Sequence, residues 1–287
     1  MVASATTKHK LNMSAETIAF IGGGNMAASL IGGMIGSGFK ADTIHATDPL
    51  AERREMLAEQ FGIKVSDDNA AAALAADVLV LAVKPQVMRE VIGTLAEAAQ
   101  TKQPLVLSIA AGIAEPDMRR WLGYDAAIVR TMPNTPALLS CGITGMYAND
   151  KVTDRQRTQA DAVMRAVGKT VWLNAESQID AVTAVSGSGP AYFFLLIELM
   201  VESGQALGLD REVATELALN TALGAARMAL EGEDEPATLR RKVTSPGGTT
   251  AAAIAAFEAG GMAKLVEQAL RAANDRGAEL AKQLGAD

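Results

Sequence analysis

Apolar and polar positions follow two different periods in the first part of the chain. Between Thr17 and about Val171, short continuous apolar runs alternate with stretches of helical periodicity. The runs are typical of fully buried strands, and they read TIAFIG, TIHATD, DVLVLAV, PLVLSIA and AIVRTM. The stretches between them predict helices over residues 25–37, 51–60, 85–98 and 116–122. This alternation predicts βαβ units with right-handed crossovers, and therefore a doubly wound, parallel sheet of the Rossmann type.

The pattern changes once, near Glu176, where the strand signals stop. Ala- and Leu-rich periodic stretches then predict helices over residues 191–207, 211–230, 250–257 and 262–284. We therefore expect a Rossmann domain over residues 16–174 and an all-α domain over residues 175–287. Residues 1–15 are expected to form a disordered tail, and a transit peptide is the less favoured alternative.

Composition narrows the class of protein. A chain of 287 residues exceeds one average domain, which agrees with two. Its net charge of -7, without a basic face, argues against a nucleic-acid partner. No apolar run approaches the ~20 residues of a membrane span, so we expect no membrane association. Cys141 is the single cysteine and no ligand cluster has metal spacing, so we expect a cytoplasmic protein without a metal.

The first strand runs into a glycine-rich turn that opens the first helix. The residues Gly22, Gly23, Gly24, Asn25, Met26 and Ala27 form the dinucleotide fingerprint G-x-G-x-x-A. Gly22 permits the tight turn, Gly24 allows close approach of a pyrophosphate, and Ala27 allows close contact of helix and strand. Because the motif lies in the context that its mechanism requires, we predict dinucleotide binding rather than an empty turn.

The end of the second strand leaves the choice of cofactor open. Asp48 stands where a carboxylate accepts a hydrogen bond from the ribose 2′-OH, which favours NAD. Arg53 and Arg54 follow closely, and either could hold the 2′-phosphate of NADP. Both arginines could equally belong to a solvated helix face.

Three later strand ends should line the same crevice. They are the stretches 82–85, 109–112 and 131–136, and their small residues leave room for a flat nicotinamide ring. Lys84 is either a general acid or, as we prefer, a phosphate or carbonyl contact near the cofactor. Asn134, between two prolines, is interpreted as a turn former that also lines the pocket.

The scarcity of catalytic residue types also restricts the chemistry. The chain has two histidines, His9 in the tail and His45 in a strand, and neither suggests a His–carboxylate pair for proton transfer. The reaction therefore needs hydride positioning but no strong base. Reduction of a C=N bond meets this condition, because a protonated imine is already electrophilic.

Two motifs rich in Gly, Ser and Thr occupy the helical half. One spans residues 180–192 and contains SGSGPAY, and the other is VTSPGGTT at residues 243–250. Such turns at helix N-termini are anion sites, although Ser and Thr can also serve only as helix caps. Two of them after a dinucleotide fold suggest a small carboxylate substrate.

Taken together, these motifs resemble those of pyrroline-5-carboxylate reductases. IGGGNMA, LAVKPQ, SIAAGI, VRTMPNTP, DAVTAVSGSGPAYFF and VTSPGGTTAAAI occur in the family's order and at its spacing, across residues 18–284. The resemblance implies NAD(P)H-dependent reduction of 1-pyrroline-5-carboxylate to L-proline, the last step of proline biosynthesis. It also implies a helical domain through which subunits form intertwined homodimers, which in many members assemble into a ring of five.

The resemblance further implies roles for individual residues. Residues bordering the cofactor would be Gly22, Gly23, Gly24, Asn25, Met26, Asp48, Arg53, Asn69, Ala82, Val83, Lys84, Pro85, Ile109, Ala110 and Ala111. Residues binding the substrate, near the dimer interface, would be Ser245, Gly247, Gly248, Thr249 and Thr250. Family members commonly favour NADPH, but Asp48 departs from the neutral or hydroxyl residue often found there, which keeps NADH in consideration.

We expect Thr250 to be the catalytic residue, hydrogen-bonded to the imine nitrogen, with the site supplying mainly proximity and orientation. Two alternatives remain. A β-hydroxyacid dehydrogenase would need a lysine on the first long helix of the second domain, and residues 191–207 contain none. A dinucleotide sensor without catalysis would not need a second anion-binding turn.

Overall fold

The computed structural model of the chain describes residues 16–286. The predicted tail at residues 1–15, the transit-peptide alternative and His9 therefore lie outside the described residues. The chain divides into two compact units: the first runs up to Gly187 and also includes the residues from Asn274 onward, and the second is Ser188–Ala273. This division differs from the expected boundary at residue 174, and it returns the C-terminal end of the chain to the first unit.

The first unit contains a single sheet, which within residues 16–286 has eight strands in the order β3-β2-β1-β4-β5-β6-β7-β8. The strands are β1 Ile18–Ile21, β2 Ile44–Thr47, β3 Lys64–Ser66, β4 Val78–Leu81, β5 Leu105–Ser108, β6 Ile128–Met132, β7 Gly142–Ala148 and β8 Gly168–Trp172. The order of the first six strands is that of a doubly wound Rossmann sheet, which confirms the predicted fold. The sheet is not wholly parallel, because β7 runs antiparallel to β6.

Helices cover both faces of this sheet. They are α1 Asn25–Gly36, α2 Ala51–Phe61, α3 Asn69–Ala75, α4 Met88–Lys102, α5 Glu115–Leu122, α6 Asp154–Arg165 and α7 Gln178–Val182. On one face Leu30, Leu57 and Val163 join the core, and on the other Ile92 and Met118 do so. The central strands are buried on both faces, as their continuous apolar runs predicted.

The second unit is all-helical, as predicted. It contains α8 Gly189–Ala206, α9 Arg211–Glu231, α10 Pro236–Lys242, α11 Thr249–Ala259 and the first part of α12 Met262–Gly285. Helices α8 and α9 pack together through Val201, Ala214 and Ala218. Gly208, with φ of 97°, makes the turn between them in the left-handed region that favours glycine.

One segment corrects the sequence analysis. Gln178–Ala206 is helical over 29 residues and, by length and composition alone, is apolar enough to cross a membrane. The expectation that no run of this length exists was wrong, because a π-helical turn at Thr183–Gly187 joins α7 and α8. Such a helix is also found as an apolar contact surface in proteins that enter no membrane.

Candidate functional site

The glycine-rich turn lies at the point where the strand order reverses, between β1 and β4. Gly22 follows β1 with φ of 101°, and its N–H donates to the carbonyl of Thr47 at 2.8 Å. A Cβ added at Gly22 would lie 2.8 Å from the carbonyl oxygen of Ala82, which follows β4. Only glycine therefore allows the chain to turn here against the neighbouring strand. In doubly wound folds this crevice is where ligands bind.

The N-terminus of α1 is open toward this crevice. Gly24 precedes the helix, and no protein atom lies within 4 Å of the position that a Cβ would take. No side chain caps the helix and its first turn carries no acidic residue, so its free N–H groups and dipole favour an anion. Ala27 is buried and lets the helix pack closely. These features fit the pyrophosphate of a dinucleotide.

The structure separates the two arginines that the sequence left equivalent. Arg54 Nη1 donates to the carbonyl oxygens of Asp48 and Pro49 at 2.7 and 3.1 Å, so it holds the loop after β2. Arg53 Nη1 lies 3.4 Å from Oδ1 of Asn25, beside the fingerprint turn. Of the two, Arg53 is therefore the one that lies beside the glycine-rich turn.

The carboxylate of Asp48 is already engaged by the backbone. Its Oδ2 accepts from the N–H of Gly23 and its Oδ1 from the N–H of Leu50, both at 2.9 Å. Each oxygen keeps acceptor capacity, so the carboxylate can still border a ribose while it shapes the turn. The sequence motif alone did not indicate this structural role.

Asn69 and His45 lie beside the same strand ends. Asn69 is the first residue of α3, and its side chain accepts from Thr47 Oγ1 at 2.6 Å and donates to Thr94 Oγ1 at 3.2 Å. His45 Nε2 is 2.9 Å from Ser66 Oγ. Burial, followed by the charge of Lys64, lowers the pKa of His45, which agrees with its structural interpretation.

The ends of β4 and β5 present small or apolar residues to the crevice. Ala82 and Val83 follow β4, and Ile109, Ala110 and Ala111 follow β5. No acid or base is among them, so this edge suits a flat ring. Lys84 and Pro85 begin the 3₁₀ turn Pro85–Val87, and the Lys84 side chain is exposed.

Asn134 and the first Ser/Gly-rich motif form hydrogen bonds within the protein, and among the described residues they serve to shape the fold. Asn134 Oδ1 accepts from the N–H of Ile143 at 3.0 Å, as expected of a turn former. The stretch at residues 180–192, expected to be an open turn, is instead continuous helix with a π-helical turn. Its hydroxyls bond within the helix: Thr183 Oγ1 donates to the carbonyl of Ile179, and Ser186 Oγ to that of Val182.

The second motif is an open turn, as predicted. The N–H of Gly248 donates to the carbonyl of Ser245 at 3.0 Å, and Gly247 has φ of 70°. Gly248 precedes α11, which has no side-chain cap and no acidic residue in its first turn. Within residues 16–286, the hydroxyls of Ser245, Thr249 and Thr250 donate to and accept from no other group. The capping interpretation is therefore wrong for this turn, and its donors are available to an anion.

The candidate residues thus fall into two groups. All the candidate cofactor residues lie in the first unit, and all the candidate substrate residues lie in the second. No group of three or more His, Cys, Asp or Glu side chains that could hold a metal occurs among the described residues.

Comparison with known proteins gives matches along nearly the whole chain. A family model for pyrroline-5-carboxylate reductase dimerisation matches residues 176–280, and one for coenzyme F420-dependent NADP oxidoreductases matches residues 17–112. The pyrroline-5-carboxylate reductase of Pseudomonas aeruginosa is 58% identical over 273 residues, covering 95% of this chain and 100% of the relative.

Solved structures agree with this match. A pyrroline-5-carboxylate reductase from Coxiella burnetii is 44% identical, with a TM-score of 0.89 and coverage of 92% of this chain and 98% of that one. The pyrroline carboxylate reductase of Plasmodium falciparum, solved with NADP bound, is 26% identical, with a TM-score of 0.83 and coverage of 94% and 99%.

Proposed function

The chain belongs to the pyrroline-5-carboxylate reductase family, and from this premise we propose how its own residues carry out the reaction. The enzyme reduces 1-pyrroline-5-carboxylate to L-proline, a step of proline biosynthesis, as an NAD(P)H-dependent oxidoreductase. Its helical domain is a dimerisation domain, so the chain is an oligomer. The observation that supports the assignment of the substrate site is the uncapped N-terminus of α11, with three unbonded hydroxyls around it.

The first unit holds the cofactor. The pyrophosphate binds at the glycine-rich turn, to the free N–H groups of Gly24, Asn25 and Met26 at the start of α1. Gly22 and Gly23 border it and shape the turn, because their N–H groups donate to Thr47 and Asp48. On the adenosine side lie Asp48, Arg53 and Asn69, and on the nicotinamide side lie Ala82, Val83, Lys84, Pro85, Ile109, Ala110 and Ala111. The dinucleotide, when bound, would supply the hydride that reduces the imine carbon, which is C2 of 1-pyrroline-5-carboxylate and becomes C5 of proline.

NADPH is the proposed physiological cofactor. Arg53 has its guanidinium near Asn25 and free of the carbonyls that hold Arg54, so it is placed to pair with a 2′-phosphate. Asp48 accepts two backbone hydrogen bonds that shape the turn, and its carboxylate can still border the ribose of either cofactor. NADH is the second cofactor, bound without the Arg53 contact.

The turn at residues 245–250 holds the substrate. The N–H groups of Gly247 and Thr249, with the Ser245 hydroxyl, bind the carboxylate at the positive end of α11. Gly248 borders the same site, and its own N–H closes the turn by donating to the Ser245 carbonyl. Thr250 hydrogen-bonds the ring nitrogen and orients the imine. A threonine is too weak an acid to protonate that nitrogen unaided, so the substrate enters protonated or takes its proton from water.

The remaining properties follow from the same assignment. We propose a homodimer as the minimal active unit, with the substrate turn facing the cofactor domain of the partner subunit and five dimers as the larger assembly. The boundary between the cofactor and dimerisation domains is placed at residue 175. The apolar helix of Gln178–Ala206 serves as contact surface between subunits in a cytoplasmic enzyme that binds neither membrane nor nucleic acid.

Replacement of Thr250 tests this site. We expect Thr250→Ala to lower kcat at least about tenfold, because it removes the group that orients the imine. The dissociation constant for NADPH, measured by nicotinamide fluorescence, should stay within about twofold. Thr250→Ser keeps the hydroxyl and should retain most activity. Unchanged steady-state kinetics in the alanine variant would remove Thr250 from the mechanism.

A further inference from the structure

The loop between β5 and α5, residues 109–114, is fastened at both of its ends. At its start, the carbonyl oxygen of Ser108 accepts a hydrogen bond from Thr131 Oγ1 at 2.9 Å. Ser108 also pairs directly with Arg130 in the register of β5 and β6. Ser108 and Thr131 are each 2% exposed, so this contact is shielded from water. The start of the loop is therefore fixed to the neighbouring strand β6.

At its other end the loop is held by a carboxylate from outside the sheet. The N–H of Glu115, the first residue of α5, donates to Oε1 of Glu176 at 2.6 Å. The same oxygen accepts from Arg130 Nη1, also at 2.6 Å. Arg130 is 95% buried and reaches this carboxylate from β6, close to where Thr131 holds the loop start. One strand thus fixes both ends of the loop.

The first turn of α5 has a second connection to the sheet. Oε1 of Glu115 accepts from Asn149 Nδ2 at 2.8 Å, and Oδ1 of Asn149 accepts from the N–H of Ile128 at 3.1 Å. These buried groups leave α5 little freedom to shift along the sheet. Charge-assisted hydrogen bonds of this kind specify position more than they add stability, because desolvation of a buried ion pair offsets much of its attraction.

We propose that Glu176 is a positioning residue for hydride transfer, which acts through Arg130 and the N–H of Glu115 to fix the β5–α5 loop. The inference rests on the proposed role of Ile109, Ala110 and Ala111 beside the nicotinamide. Glu176 touches neither cofactor nor substrate in this assignment. Its carboxylate lets the loop present small residues at a set distance from the ring, without a polar side chain in the crevice.

The variant Glu176→Gln tests the role of the charge. Glutamine keeps the length and an acceptor oxygen but removes the negative charge that both donors share. In the cofactor-free protein, we expect hydrogen–deuterium exchange of the peptide covering residues 109–116 to become at least about tenfold faster. With cofactor and substrate, we expect kcat to fall about tenfold or more, since small displacements of a reacting group are costly.

The kinetic isotope effect separates positioning from loss of stability. With NADPH deuterated at the transferred C4 position, the isotope effect on kcat should rise in Glu176→Gln, because hydride transfer becomes slower relative to product release. The dissociation constant for NADPH should change less than about twofold, since the pyrophosphate site is untouched. A matched control is Glu16→Gln, which removes the charge of a carboxylate that is 91% buried and paired with Arg155 at 2.9 Å. That variant should leave the hydrogen–deuterium exchange of residues 109–116 and the isotope effect on kcat unchanged.

A folded Glu176→Gln enzyme with unchanged exchange in residues 109–116, or with an unchanged isotope effect, would overturn the proposal. If this variant does not fold, Thr131→Val decides the question, because it releases the loop start while keeping a β-branched side chain. It should show the same two changes, to a smaller extent, and their absence would count against the proposal. The exchange measurement needs no turnover, so failure of the proposed reductase chemistry would be recognised separately.

Discussion

The two units differ most in how much of their apolar surface is buried. In the first unit, aliphatic side chains from both faces of the sheet form two continuous cores. In the second, the buried apolar residues among those described are Val201, Ala214 and Ala218, and each keeps 4–6% of its surface exposed. Phe193 and Phe194 are each 66% exposed there, and Leu223 is 60% exposed. The first unit has the core of an independent domain, whereas the second has a surface that needs covering.

This difference explains why the second unit is a dimerisation domain. Many large apolar side chains exposed on one unit are typical of a protein contact site. With so few buried apolar side chains, this unit needs a partner surface to cover the exposed ones, and a second copy of a dimerisation domain supplies it. The turn at the start of α11, where we propose that the substrate binds, belongs to this unit, so its geometry should depend on assembly.

A charge in the apolar surface of α8 should give the largest effect. We expect Phe194→Glu to convert the oligomer to monomers and to lower kcat/KM at least about a hundredfold, because each buried phenylalanine contributes about 1.5–3 kcal/mol and a buried carboxylate opposes assembly. Light scattering and the reductase assay measure the two consequences. Leu74→Glu is the matched control: Leu74 is 51% exposed on α3 in the first unit, and its replacement should change neither mass nor activity. An active monomeric Phe194→Glu enzyme would contradict the dependence of the second unit on its partner.

Replacement of Gly24 by alanine should weaken cofactor binding without destabilising the first unit. No protein atom lies within 4 Å of the added Cβ, so Gly24→Ala should leave the melting temperature nearly unchanged. We expect its dissociation constant for NADPH to rise about tenfold or more, because the methyl group occupies the approach of the pyrophosphate. Gly36→Ala, on the same helix and equally open, should leave binding intact. Equal affinities in the two variants would place the pyrophosphate elsewhere.

The smallest expected effect concerns cofactor choice. Arg53→Gln should lower the ratio of kcat/KM for NADPH to that for NADH by about tenfold, through loss of the pairing with the 2′-phosphate. Arg54→Gln should lower the stability of the loop after β2 and leave the ratio unchanged, since Arg54 bonds to backbone carbonyls. The reverse result, with Arg54 controlling the ratio, would exchange the two roles.

The sequence alone was sufficient to predict the features that a local motif determines. The glycine-rich turn, the five predicted strands and the open SPGG turn could be predicted because each depends on neighbouring residues and on a known periodicity. The bounds of α9 and α11 agree with prediction to within a few residues. The order of the first six strands is the one expected of the Rossmann type, which the glycine-rich turn after β1 indicates.

Features that depend on distant partners were missed. Strand β3 has only three residues. Strands β7 and β8 begin with glycine and mix polar with apolar residues, so no apolar run indicated them. The Ser/Gly-rich segment before α8 was expected to be a turn, but its neighbours continue it as helix. Glu176 and Arg130 are 46 residues apart, and the two arginines at 53 and 54 differ only in contacts that spacing does not encode.

The most direct test of the proposed function is a reductase assay with the purified chain. 1-Pyrroline-5-carboxylate is added with NADPH, and then with NADH, and the absorbance of the cofactor measures its oxidation. We expect rapid oxidation with formation of proline, and a higher kcat/KM with NADPH than with NADH. A folded, oligomeric protein that binds NADPH but oxidises neither cofactor would contradict the reductase function, and would favour a dinucleotide sensor instead.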